Sequence, residues 1–311
     1  MSNKLYINQS LYKAFFYKGE RRDYCAQYIK RQCIDKEFSR ETLAMSCGNY
    51  FETQCLGSSI GGKKTNDLPR KKLTAKQIIA GQTIGDKTID QIRIDQQVMM
   101  FNKLRVDYFM SIEKEFNTQV GIKKLWSQND NIILQGELDM FPIKIELPQR
   151  GSRLAVIDLK LTGVFSDYGE YCWATPSGID PIQGYMYSDL VRDIDFEFNM
   201  SENPDSKLSY LYTPTLQNIL KKQDPLFFFW VFNYKQDINN KIIEVKYDDM
   251  AKRELYESIR KTVEEVNKNE KDNWQMVRPL PSNCNQCAIL NCPVRETFNK
   301  PVIEHNQFET I

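Results

Sequence analysis

Two apolar runs that each lead to an aspartate constrain this chain more than any other feature. Ile132-Ile133-Leu134 runs through Gly136-Glu137-Leu138 to Asp139, and nineteen residues beyond Asp139 the run Leu154-Ala155-Val156-Ile157 opens onto Asp158-Leu159-Lys160. Both runs have the length and composition of buried strands, which puts the two aspartates at strand ends. A carboxylate in such a place is costly to desolvate unless it is paired with charge or coordinated to a cation. Side chains alternate along a strand, so Lys160 projects from the same face as Asp158. The chain is therefore expected to bring two carboxylates and one ammonium together.

Hard oxygen donors select magnesium or manganese over zinc, and few protein ligands leave room for water and a substrate phosphate in the octahedron. An ammonium beside them could orient an attacking water or offset charge developing on phosphorus. Further along, Asp180-Pro181 opens a segment that reads as a helix start with proline in the first turn. Its Gln183 and Tyr187, spaced i to i+4, share a face, with Tyr185 as a near alternative. Upstream, Glu52 follows Gly48 by four residues on a predicted helix for which Ser39 is a plausible N-cap.

These residues, in this order, resemble the PD-(D/E)xK nucleases, and within them the RecB-like exonuclease branch. That branch carries G-x-x-D, then D/E-x-K, then Q-x-x-x-Y, here Gly136 to Asp139, Asp158 to Lys160 and Gln183 to Tyr187. The resemblance implies an α/β fold, a restriction-endonuclease-like core with a mixed central sheet flanked by helices. It also implies a metal-dependent deoxyribonuclease. Glu52, Asp139 and Asp158 would hold one or two magnesium or manganese ions, with the backbone carbonyl of Leu159 as a further ligand and Lys160 positioning the water. Gln183 and Tyr187 would support the site and contact the DNA backbone. Glu52 stands where many members carry histidine; the single histidine here is His305.

A second signal lies near the C-terminus, where Cys284, Cys287 and Cys292 form a C-x-x-C-x-x-x-x-C run. Zinc usually takes two local pairs, whereas three close cysteines plus one distant thiolate suit iron–sulfur ligation better. The iron–sulfur subset of the same branch, including AddB-like and CRISPR-associated exonucleases, is similar: one N-terminal cysteine, the nuclease motifs, then three cysteines. That resemblance implies Cys25 as the fourth ligand of a [4Fe-4S] cluster, with Cys33 and Cys47 as competitors and zinc as the alternative metal. Such a cluster would clip the chain ends together and remove loop-closure entropy from the unfolded ensemble.

Composition bounds the rest. With 311 residues and 41% hydrophobic content, the chain can bury one substantial core. It has no run of eighteen apolar residues and no signal peptide before Lys4, so it reads as a cytoplasmic protein with no membrane contact. Eight cysteines in a reducing compartment argue for thiols and cluster ligands over disulfides; Cys55 and Cys172 read as ordinary buried thiols. A net charge of +1 argues against indiscriminate coating of nucleic acid. DNA contact would fall to local charge such as Lys63, Lys64, Arg70, Lys71, Lys72 and Lys76, or to stacking by Phe165, Tyr171 and Trp173.

Residues 1–60 read as mostly helical, 61–118 as a helical insertion, 119–270 as the nuclease core and 271–311 as a cysteine-rich segment with a tail, one domain overall. The insertion's apolar spacing is Ile89, Ile92, Val98, Phe101, Leu104, Phe109, Ile112 and Phe116. Later strands are expected near 207–213, 225–235 and 241–247, with a helix over 249–268. The expected activity is hydrolysis of single-stranded or frayed DNA ends, in repair, recombination, phage replication or CRISPR adaptation. The alternative is a non-catalytic DNA-binding or helicase-partner subunit that keeps the fold. No P-loop supplies a motor in this chain.

Overall fold

A computed structural model describes residues 4–17, 19–22, 24–37, 43–59, 64–65, 68, 88–108, 110–111, 117–147, 149–163, 179–202, 207, 213–235 and 239–274. In chain order the strands are β1 (Leu5–Ile7), β2 (Phe16–Tyr17), β3 (Glu20–Arg21), β4 (Met110–Ser111), β5 (Asn117–Trp126), β6 (Asn129–Leu147), β7 (Gly151–Thr162), β8 (Leu226–Asn233) and β9 (Asn239–Val245). The α-helices are α1 (Gln9–Phe15), α2 (Ala26–Ile29), α3 (Leu43–Leu56), α4 (Ile89–Tyr108), α5 (Pro181–Val191), α6 (Phe196–Glu202), α7 (Pro214–Lys222) and α8 (Asp249–Lys271). They divide into two compact units, Met1–Ile7 with Glu41–Leu255, and Asn8–Arg40 with Tyr256–Ile311.

The first unit is built on a seven-stranded mixed sheet in the order β1-β6-β7-β8-β9, with β4 and β5 also paired to β6. The run Leu226–Phe232 becomes β8, held between β7 in parallel and β9 in antiparallel, which is where a continuous apolar run belongs because both faces are covered. The pleat then sorts its side chains. Phe228, Trp230 and Phe232 enter one core layer with Ile157 and Leu159 of β7, Phe51 of α3, and Ile94 and Phe101 of α4. The rings of Phe101 and Trp230 lie 5.2 Å apart, and those of Trp230 and Phe232 4.9 Å, within the range of favourable aromatic pairing. The alternate residue Phe227 turns to the other face, where Tyr187 of α5 meets it at 5.9 Å.

Helix α5 approaches the sheet closely at two glycines. A Cβ on Gly136 of β6 would fall 2.6 Å from Tyr187 Cε1 and 2.9 Å from Leu190 Cδ1. One on Gly184 would fall 2.9 Å from Val245 Cγ1. Only the missing side chains let helix and sheet meet at this separation.

Several expectations change. The stretch 1–60 contains three strands, β1, which pairs in parallel with Ile132–Leu134, and β2 and β3, which pair with each other; two or three residues are too few for alternation to show in sequence. In α4, Val98, Phe101 and Leu104 pack on the core together with Ile94, while Ile89 and Ile92 are exposed, so the inward stripe is narrower than predicted. The region around 207–213 yields no described strand; Thr213 instead caps α7, its hydroxyl accepting from Leu216 N–H at 3.2 Å. The last helix runs on to Lys271. Ser39, Phe109, Ile112, Phe116, Phe165, Tyr171, Trp173 and most of the Lys63–Lys76 segment lie outside the described residues. No described helix is long and apolar enough to cross a membrane.

In the second unit, polar links join its two chain segments. Tyr24 donates to Glu265 at 2.5 Å, Arg21 reaches the same carboxylate at 3.0 Å, and Asn269 donates to the Tyr24 hydroxyl at 2.9 Å. Gln27 donates to the Trp274 carbonyl at 3.0 Å, and the Phe15 ring meets Tyr24 edge-on at 4.9 Å.

Candidate active site

Asp139 and Asp158 lie inside long strands and not at strand ends: β6 continues through Pro142 to Leu147 and β7 to Thr162. Met140 pairs with Ile157 across β6 and β7, so one further step of the ladder sets Asp139 opposite Asp158. The two carboxylates are 3% and 2% exposed. Just beyond, the register shifts between Met140 and Ile143, an irregularity of the kind that re-aims side chains beside functional sites.

The local donors explain how the two acids tolerate burial. Asp139 Oδ2 accepts the Leu159 N–H at 2.7 Å, and its Oδ1 accepts from Gln119 Nε2 at 3.3 Å. Asp158 Oδ1 accepts from Gln183 Nε2 at 2.9 Å, while its Oδ2 is ion-paired to Lys160 Nζ. The pairing of Asp158 with Lys160 two residues on is the outcome that strand alternation predicts. Gln183 can reach because Asp180 caps α5, accepting from Ile182 N–H at 3.1 Å, and Pro181 starts its first turn.

Burial pushes the Asp139 carboxyl well above the usual carboxylate range, reinforced by the negative charge of Asp158 and then of Glu52, against the pull of Lys160 and the Leu159 N–H. Glu52, carried on α3 between the buried Phe51 and Thr53, is thus near enough to act on the pair. Burial draws the Lys160 amine down, but Asp158, Asp139 and Glu52 outweigh it and hold the ammonium above its ordinary value. One cation therefore faces three acids. Among the described residues, however, no group of three or more carboxylate, thiol or imidazole side chains stands in an arrangement that could hold a metal ion. Asp139 and Asp158 form a pair, with Glu52 as an electrostatic neighbour.

Tyr187 is buried over Gly136, its phenol held protonated far above the usual range by burial and by Asp158 and Asp139, and hydrogen-bonded to Gln183. Tyr185, the near alternative, is half-buried and faces a different neighbour, the ring of Tyr247 at 6.2 Å. Cys25 and Cys33 belong to the second unit and are partly buried, whereas Cys47 and Cys55 are buried in the core of the first. Cys172, Cys284, Cys287, Cys292 and His305 lie outside the described residues.

Gln119 is the site residue that sequence reading missed. Thr118 pairs with Met140 and Val120 with Leu138, so Gln119 lies directly across from Asp139 on the opposite flank from Asp158. Its φ is +56°, a left-handed conformation that costs a non-glycine residue about 1–3 kcal/mol and that clusters at functional sites. It is 7% exposed, and its Oε1 has no hydrogen-bond partner among the described residues. The available sequence signal was a lone amide among strand residues, and nothing local reveals which strand lies opposite it.

No protein-family model matches the chain, and no curated protein matches it. Among solved structures it is similar to one from Eubacterium rectale described as a candidate exonuclease, at 16% identity and a TM-score of 0.52, covering 97% of this chain and 95% of that one. The likeness is one of fold: the chain shares the α/β architecture of that protein across nearly its whole length.

Proposed function

We propose that this chain is a magnesium- or manganese-dependent DNA nuclease of the RecB-like kind that acts on single-stranded or frayed ends. The observation that carries the reading is the buried pair Asp139 and Asp158, set across from each other on adjacent strands with the Lys160 ammonium on Asp158. Fold likeness to a candidate exonuclease supports it.

The donor chemistry fits a hard divalent cation: buried carboxylate oxygens, an excess of negative charge and no soft ligand among them. Asp139 and Asp158 would hold the ion, with the Leu159 carbonyl as a further oxygen and Glu52 acting on it through its charge. When bound, it would supply Lewis acidity toward phosphorus and an acidified water. Lys160 orients the nucleophile or meets charge on the phosphate, Gln183 fixes the rotamer of Asp158, and Tyr187 buttresses Gln183 from beneath. Partition of the active residues over β6, β7 and α5 gives them rigid supports.

At the chain ends, Cys25 with Cys284, Cys287 and Cys292 would hold a [4Fe-4S] cluster in a structural role, a reading that rests on the spacing of the last three and, for Cys25, on the resemblance to the iron–sulfur subset.

Cleavage of end-labelled oligonucleotides with and without manganese tests the proposal, alongside Asp158→Ala. The variant should lose about 10³-fold or more in rate while keeping its melting temperature and its DNA affinity. Equal degradation of closed circular and linear DNA would remove the end-processing part, and undiminished function in Asp158→Ala would favour a non-catalytic DNA-binding or helicase-partner subunit.

A further inference from the structure

The row of residues that carries the acid pair extends past Asp158. Phe229 on β8 is the register partner of Asp158, and Ile243 on β9 is the register partner of Phe229. Over these two side chains, the starts of α5 and α8 bound a cavity of about 260 Å³ lined by Phe229, Ile243, Val245, Pro181 and Tyr185, with Met250 exposed at its rim. Adjacent strands lie about 4.8 Å apart, so the near wall is one strand from Asp158 and the floor continues to the next. Lys160 Nζ stands 5.7 Å from the centroid of the Phe229 ring. The amine of the candidate active site and the cavity thus share that ring.

Two of the three charged groups around the cavity have other engagements. Glu244 is ion-paired with Arg150, and the Asp248 carboxylate accepts the N–H groups of Met250 and Ala251 at 3.0 and 2.9 Å as α8 begins. The third, Lys246, also lines the cavity. What remains facing the space is mainly aromatic and aliphatic, which suits a flat unsaturated ring and offers little pattern for reading its edge.

We propose that this cavity receives the base of a nucleotide whose phosphate lies at the acid pair, packed against the half-buried Tyr185 over Ile243 and Val245 without regard to sequence. The proposal rests on the nuclease reading and deepens it. A base within a duplex is stacked and paired, so a pocket of this kind admits a single strand or a frayed end and makes a closed duplex pay unstacking first.

Fluorescence-polarisation titrations of the full chain in chelator, where no cleavage occurs, test it with a labelled single-stranded oligonucleotide and a set carrying one abasic position stepped from the end. Base stacking on an aromatic side chain predicts that Tyr185→Ala weakens binding of the intact strand roughly 10-fold. The same variant should cost nothing further with the abasic strand whose gap falls at the pocket, and Tyr185→Phe should bind like wild type. If alanine prevents folding, Tyr185→Leu replaces it. Equal weakening of intact and every abasic strand overturns the proposal, as does the absence of binding. Base-dependent binding with no manganese-dependent cleavage sinks the nuclease reading and leaves the pocket standing.

Discussion

The two units solve the problem of burying polar groups in opposite ways. In the first, a large sheet with aromatic layers over Trp230 and Phe232 holds two carboxylates in its strands, and rigid neighbours supply each acid with donors. In the second, the short helices α1 and α2 and the greater part of α8 are joined by Tyr24, Arg21 and Asn269 gathered on Glu265. The difference teaches where each unit is vulnerable. A big core can absorb the cost of strained or charged residues, whereas a small one depends on staples.

The largest expected effect breaks that contrast from the second unit's side. If Cys25 is a cluster ligand, Cys25→Ser should lower the stability of that unit by about 2–4 kcal/mol, the range for losing a cross-link that closes a long loop. Limited proteolysis should then cut within residues 8–40 or 256–274 first and leave the sheet intact, and the brown colour of anaerobic preparations should vanish. A uniform loss of protection across both units would remove the staple from the comparison.

Next comes the close approach of α5 to β6 at Gly136. Gly136→Ala places a methyl 2.6 Å from Tyr187 Cε1, an overpacking that costs about 1–3 kcal/mol. Thermal melts should show a fall of a few degrees, and cleavage should fall with it as Gln183 shifts relative to Asp158. An unchanged melt would mean that α5 can move away from β6 at no cost in stability.

Gln119→Gly separates stability from function within the same sheet. Glycine takes a φ of +56° without strain, so the variant should melt at the same or a slightly higher temperature, by up to about 1 kcal/mol. Cleavage should drop about 10-fold, because Asp139 loses a donor on its Oδ1. A parallel loss of both quantities would make Gln119 a merely structural residue.

The remaining effect is a pH dependence. Burial raises the Cys33 thiol from 9.0 to about 11. Between those values the native chain keeps a proton that the unfolded chain gives up, so stability falls as pH climbs through that window. Cys33→Ala should flatten this alkaline limb in denaturant melts at pH 8 and pH 10.5, while leaving the limb of the first unit unchanged.

Much of the first unit was legible because its signals are local. The apolar runs into Asp139 and Asp158 became β6 and β7, the run at Leu226 became β8, and the Asp180-Pro181 cap with its i to i+4 pair gave α5. Strand alternation alone predicted that Lys160 would meet Asp158. Less was legible where the signal is short or non-local. Three residues at Leu5–Ile7 carry no readable period, yet they add a strand by pairing with a segment more than 120 residues away.

What the sequence determined by itself was the identity and order of the chemical groups: two acids on apolar strands, an amine two residues beyond one of them, an amide and a phenol one helical turn apart. Only the tertiary structure decided which groups confront each other. It set Gln119 across from Asp139, laid Phe229 and Ile243 in line with Asp158, buried Tyr187 over Gly136 and left Tyr185 facing a cavity. The physical reason is that periodicity fixes a side chain's direction relative to its own backbone, whereas the neighbour it meets is fixed by strand register and by how closely a helix can approach the sheet.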